Sequence, residues 1–340
     1  MKRAIGIIIV IILLILIYAG WNIFGPTVSA PEGKYFYIKT GASYADVKRS
    51  LLEQKIIRST FFFDKIAGRV HYDTNVRPGR YEISNGSNQL SLVRMLKGGR
   101  QSPVKLVINK LRTKEDLAGK IGNSFEADSA EVMGFIMNND SLTAYKLDTN
   151  TVMTVIIPNT YLITWNGTFK KIFKRLKEEH DNFWDTERIK KASALGLDPA
   201  KVYTLASIVE EETNKSEDKG PIASVYMNRM NKGMKLEADP TVKYAMRNFG
   251  LKRILHGHLA YQSPYNTYQQ TGLPPGPICT PSSTTIDAVL NAPKTSYIFF
   301  VAKPDFRGYS NFASTYEEHL VFAKAYQRAL DSLIISKKKQ

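Results

Sequence analysis

Apolar residues run almost unbroken over positions 4–24, close to the roughly 20 that a helix needs to cross a bilayer. Lys2 and Arg3 precede them. Those two charges favour a short cytoplasmic end, which places everything after residue 24 on the outer face of the inner membrane. The competing reading is a cleaved signal peptide, but its apolar stretch is usually roughly 7–15 residues. The one A-x-A-like site, Val28-Ser29-Ala30, is also followed by Pro31. A retained single-pass transmembrane helix over 1–24 is the expectation.

Beyond residue 24 the pattern changes. Positions 25–33 carry Pro26, Pro31 and Gly33 and read as a short linker. KYFYIKT then alternates as a strand, and SYADVKRSLLEQKII follows with helical spacing and Ser43 as its N-cap. STFFFDKIAGR keeps helical spacing. RPGRYEIS predicts a turn into a strand, because Pro78 presets φ and Gly79 tolerates a tight corner. NQLSLVRMLKGG predicts a helix stopped by Gly98 and Gly99. With the strand VKLVI these make a small α+β subdomain over 34–108.

Residues 109–336 are expected to form a larger, mainly helical domain with short strands at VMTVII and SYIFFVA, followed by a basic tail, 337–340. Asp198-Pro199 and Asp239-Pro240 each predict an N-cap followed by proline in the first helical turn. Ser314, three residues before Glu317, predicts a capping box for the final helix. The fold class is therefore α+β.

At 340 residues and 43% hydrophobic composition the chain can bury cores for about two domains. Its net charge of +16 suits an anionic partner such as nucleic acid, acidic phospholipid or an acidic wall polymer. A membrane anchor argues against nucleic acid. Cys279 is the single cysteine, so no intramolecular disulfide forms. His256 and His258 supply at most two ligands where a zinc site needs three or four, and no metal site is expected. The sequence holds no glycine-rich phosphate loop or nucleophile elbow, and no cofactor is implied.

LASIVEEETN sets three glutamates at the end of an apolar helix. At about 100° per residue the apolar stripe comprises Val202, Leu205, Ala206, Val209 and the methyl of Thr213. Glu211 falls opposite it and is expected to be solvated. Glu210 and Glu212 fall on the two flanks, where partial burial raises a carboxyl pKa toward the range useful for moving a proton near neutral pH. They project in nearly opposite directions, so they cannot act as a pair across one bond. Glu212 is free to orient the surroundings of Glu210 or to pair with a cation such as Arg229.

Three stretches in order, SIVEEET (207–213), IASVYMNRMNKGMKLEADPTVKYA (222–245) and SPYNTYQQTGLPPGPI (263–278), resemble the endolytic murein transglycosylase family, also called YceG-like. IPNTY (157–161) and FASTYEEH near the C-terminus are weaker echoes. The sequence departs from the family pattern at Asn159, at Glu211, at Ser310 and at Cys279 with Pro281-Ser282.

The resemblance implies an inner-membrane enzyme that cuts nascent peptidoglycan glycan strands internally at the MurNAc–GlcNAc bond, leaving 1,6-anhydroMurNAc ends. It implies a LysM-like glycan-binding module at 34–108, a catalytic domain at 109–336, and association with peptidoglycan synthases. It also implies Glu210, the first glutamate after SIV, as the catalytic acid and then base. Glu212, Tyr265, Asn266, Thr267 and Tyr268 are candidate substrate-binding residues, since amides and phenols suit sugar hydroxyls and faces. Asp239 reads as an N-cap, and GLPPGPI as a groove wall. Two rival functions are a non-catalytic, membrane-tethered wall-binding scaffold and a muramidase hydrolase using Glu210 with Asp239.

Overall fold

A computed structural model describes residues 2–338. Of the expected basic tail, Lys339 and Gln340 lie outside the described residues, as does Met1. The chain divides into two compact units: unit 1 holds 1–106, 122–128 and 161–168, and unit 2 holds the rest.

Unit 1 begins with α1 (Lys2–Phe24), an exposed helix long and apolar enough to cross a membrane. β1 (Tyr35–Ile38), α2 (Tyr44–Glu53), α3 (Phe61–Arg69), β2 (Gly79–Glu82) and α4 (Gln89–Gly98) follow. β1 and β2 pair antiparallel, Phe36 opposite Tyr81 and Ile38 opposite Gly79. Their inward positions, Phe36, Ile38 and Tyr81, join Leu51, Phe63, Tyr72 and Leu92 in one core. Each such side chain removed from water contributes about 1.5–3 kcal/mol.

The turn and cap chemistry acts where the sequence placed it. Ser43 and Asp46 form a reciprocal capping box on α2, and Gly99 closes α4 in the left-handed region at φ 61°. Gly79 sits at φ 146°, where any side chain is strained, and a Cβ there would fall 2.2 Å from the Gln101 side chain and displace it. Positions 25–33, expected as a linker, are bonded into unit 1. Val28 is buried and bridges Ser87, and Ala30 N donates to Asn85 Oδ1 at 2.6 Å.

β3 (Val104–Ile108) and β4 (Asn159–Ile163) each begin in one unit and end in the other. Unit 2 contains α5 (Lys114–Gly122) up to Ile121, α6 (Ser129–Ile136), α7 (Asn139–Thr143), α8 (Phe169–Phe183) and α9 (Thr186–Ala194). VMTVII, expected as a strand, forms instead a 3-10 turn at Val152–Val155; its β-branched residues are buried singly rather than paired.

The centre of unit 2 is α10 (Pro199–Glu212), packed by α9, α11 (Ser216–Asn231), α12 (Asp239–Ala245) and α14 (Ser283–Leu290), with α13 (His256–Leu259) between the last two. Every residue of α10 from Val202 to Val209 is buried. The predicted single stripe therefore understates the helix: neighbours enclose it on all sides. β5 (Phe299–Ala302) and β6 (Ser310–Ala313) form an antiparallel hairpin against α15 (Tyr316–Lys338). The cap of α15 lies one residue beyond the expected one: Glu318 N donates to Thr315 Oγ1, and Glu318 Oε2 accepts from Ser314 N.

Candidate active site

α10 starts as its sequence dictates, with the Asp198 carboxylate accepting from Lys201 N and Pro199 in the first turn. It ends on Glu210, Glu211 and Glu212, where the partial negative charge of the helix C-terminus disfavours carboxylates. Each of the three meets a different compensating environment, because successive residues point about 100° apart.

Glu210 is locked in an ionic cluster. Its Oε2 accepts from Lys219 Nζ at 3.0 Å, from Ser282 Oγ at 3.1 Å and from the Thr285 hydroxyl. Both partners of the ion pair are nearly enclosed, at 14% and 11% side-chain exposure. Burial pushes the Glu210 pKa up, but the bonds from Thr285, Lys219 and Ser282 and the Lys219 charge outweigh it and hold it below the usual carboxylate range. The expectation of a raised pKa at Glu210 is therefore corrected: its carboxyl rests ionised, a poor proton donor near neutral pH.

Glu211, expected to be solvated, is instead clamped by Arg112 through two bonds of 3.1 and 3.0 Å and by Lys110 at 3.3 Å. The fork geometry of the guanidinium suits a carboxylate in this way. Lys110 and Arg112 reach it because Leu111 between them is tied by backbone and side-chain bonds to Thr280.

Glu212 differs from both. Its Oε1 accepts from Tyr226 Oη of α11 at 2.7 Å. No ion pair reaches it among the described residues, and Arg229, the cation expected there, pairs with Glu237 instead. Burial pushes its pKa up to about 7, with the Asp239 charge adding and the Tyr226 bond opposing. The Tyr226 phenol is driven well above its ordinary value by its own burial and by Glu212, so it stays a donor.

Asp239 stands within α12 rather than capping it; Ala238 is the cap residue. Its carboxylate accepts from Tyr268 Oη at 2.7 Å. Burial and this bond raise the Tyr268 phenol, which remains protonated.

The remaining sequence candidates build the frame. Asn266, fully buried, spends its amide on Leu259 O and Tyr261 O at 3.0 and 2.7 Å and accepts from Tyr268 N. Thr267 Oγ1 accepts from Ala238 N at 3.0 Å and bonds Thr241. Expected as sugar contacts, these two instead set Tyr268 and the start of α12. Tyr265 packs on Tyr244, rings 4.8 Å apart. Tyr244 also lines a small cavity of about 60 Å³ with Arg112, Glu211, Lys243, Phe249 and Ile278. Leu273, Pro274 and Pro275 of GLPPGPI line an open groove with Asp198, Lys201 and Met230. Cys279 is buried with its thiol on Ser207 O at 3.4 Å, and burial raises its pKa.

Residues 36–325 match the YceG-like family. The chain belongs to that family. YceG-like relatives include the endolytic murein transglycosylase of Bacillus subtilis, 44% identical over 119 residues that make 35% of this chain and 32% of that one. The endolytic murein transglycosylase of Streptococcus pneumoniae is 26% identical over 321 residues, 83% of this chain and 56% of that one. The chain thus spans about a third to a half of the length of these relatives. A crystal structure of a yceG-like protein from Listeria monocytogenes matches 84% of this chain and 97% of its own, with TM-score 0.56 and 29% identity.

Within this YceG-like chain no sequence pattern singles out Tyr226, Lys219 or Thr285, each of which reaches α10 from another helix. Ser282 did leave a trace, since it stands where the sequence departs from the family pattern, and its hydroxyl bonds Glu210.

Proposed function

We propose that this protein is a membrane-anchored endolytic murein transglycosylase whose single acid/base is Glu212 rather than Glu210. The observation that carries this reading is the placement of the Glu212 carboxyl, bonded by Tyr226 at 2.7 Å and, among the described residues, without the cation that Glu210 and Glu211 each have; burial there pushes its pKa up to about 7. Such a group is protonated often enough to donate and basic enough to take a proton back. The names of the relatives supply the substrate class, peptidoglycan.

In this mechanism protonated Glu212 gives its proton to the glycosidic oxygen as the bond from MurNAc C1 breaks through an oxocarbenium-like state. The C6 hydroxyl of the same sugar then closes on C1, and its proton returns to Glu212. One bond to C1 breaks, one forms, and no water enters. The nucleophile is internal, so proximity supplies much of the acceleration. Tyr226 stabilises the carboxylate midway. Asp239, held by Tyr268, keeps a negative charge beside the acid, which raises its pKa and favours positive charge on the sugar.

α1 is read as the anchor, with Lys2 and Arg3 on the cytoplasmic side and the remainder outside the inner membrane. The β1-α2-α3-β2 order supports reading unit 1 as a LysM-like glycan module; Tyr37, Thr40 and Gly41 line a cavity of about 400 Å³ there. Peptidoglycan synthases are the expected protein partners.

A second reading follows from the charge of Asp239 acting on Glu212: two carboxyls serving a hydrolase. Mass spectrometry of glycan strands digested by the full chain in detergent separates the readings. Anhydro ends absent from a Glu212→Gln variant support the transglycosylase, reducing ends support the hydrolase, and no cleavage leaves a wall-binding scaffold.

A further inference from the structure

The chain passes from α1 into the rest of unit 1 without slack. Gly25 N donates back to Trp21 O at 2.8 Å, Ile23 packs on the unit 1 core, and Val28 is already paired with Ser87. Tyr18 meets Phe62 of α3 edge to face, centroids 5.9 Å apart. From Tyr18 to Phe24 is about 9 Å of helix at 1.5 Å per residue, so α3 begins beside the final turns of α1 rather than past its end. A hydrocarbon core of about 30 Å needs roughly 20 residues, whereas the apolar positions before Tyr18 span only about 21 Å. Full immersion of α1 therefore carries Tyr18 into the outer leaflet, and Phe62 goes with it.

The surface next to that contact has the chemistry for the place. Phe61 is 60% exposed and packs edge to face on Phe62 at 5.1 Å. Lys65, one turn on, lies over the Phe61 ring at 5.8 Å. Arg69 continues the same face, and Arg58 precedes it, all of them exposed. An aromatic edge backed by cations fits a bilayer interface, where rings settle at headgroup depth and basic side chains reach lipid phosphates.

We propose that Phe61 and Phe62 seat unit 1 in the outer leaflet of an anionic phospholipid membrane, with Arg58, Lys65 and Arg69 over the lipid phosphates. This rests on reading α1 as a membrane anchor. Unit 1 is then held at the lipid surface rather than on a free stalk.

The test uses the full chain in nanodiscs of phosphatidylglycerol and phosphatidylcholine, with a nitroxide on Phe61→Cys; Cys279 is 2% exposed and does not compete for label. The expected result is loss of collisions with a water-soluble nickel chelate and retention of collisions with oxygen. Adding Lys65→Glu and Arg69→Glu should restore part of the nickel access. A label in loaded discs that the nickel chelate reaches as freely as in solution overturns the seat while leaving the anchor standing. A chain absent from the disc fraction overturns both, and is recognised before any spectrum is taken.

Discussion

Tyr226 donates to Glu212 across the α10–α11 contact at 2.7 Å, and this bond lowers the pKa of a carboxyl that burial raises. Phenylalanine at 226 removes the opposing influence. The Glu212 pKa should rise further, and the alkaline limb of kcat/KM against pH should move up. Loss of a hydrogen bond to the charged form should also cost about tenfold in kcat. A pH profile of anhydro-end formation measures both effects.

Asp239→Asn should move the same limb the other way. The Asp239 charge raises the Glu212 pKa, so its removal leaves less protonated acid at neutral pH. Opposite displacements in the two variants would identify Glu212 as the titrating group; identical ones would count against it.

Glutamine at 212 and at 210 should divide activity from stability. Glu212→Gln should abolish cleavage and keep the fold. Glu210→Gln should leave the Lys219 cation short of its counter-ion in a nearly enclosed site, costing about 3 kcal/mol in denaturant melts while cleavage persists in the folded fraction.

Stability should respond to pH with opposite signs at these two positions. Glu212 binds its proton more tightly folded than unfolded, so its contribution is most favourable in acid and is lost as pH rises from the ordinary carboxylate range to about 7. Glu210 is lowered, so its contribution is present above the ordinary range and is lost as pH falls through its folded value. Relative to the parent, Glu212→Gln should gain Tm between pH 5 and pH 7. Glu210→Gln should lose most above the ordinary carboxylate range and approach the parent in acid.

Asn266→Ala removes the amide bonds to the carbonyls of Leu259 and Tyr261, while Gln269 still bonds Leu259 O, and should cost about 1–2 kcal/mol. Tyr268→Phe removes only the bond to Asp239, so kcat should fall with little change in melting.

Local features were legible where local chemistry decides them. Ser43, Asp198, Gly99 and the prolines act through neighbours a few residues away, and the structure uses them as the pattern indicates. Features set by distant partners were not. Glu211 was assigned to solvent because its helical angle opposes the stripe, yet Lys110 and Arg112 arrive from a segment about a hundred positions earlier. Helical angle likewise separated Glu210 from Glu212 but did not say which would lose water without gaining a cation. That depends on Lys219 facing one and Tyr226 the other. Asn266 and Thr267 looked suited to sugars by residue type, and only their own burial and their backbone partners reveal them as framework.

The terminus of α10 works as a sorting device: three chemically identical side chains emerge from one axis, and direction alone sends one to Lys219, one to Arg112 and one to Tyr226. A single residue inserted within the buried stretch would turn the tip by about a third of a revolution and shift every assignment by one place. The duplicated letters in this motif are therefore not spares for one another, and its tolerance should be far lower for a change of length than for a change of identity.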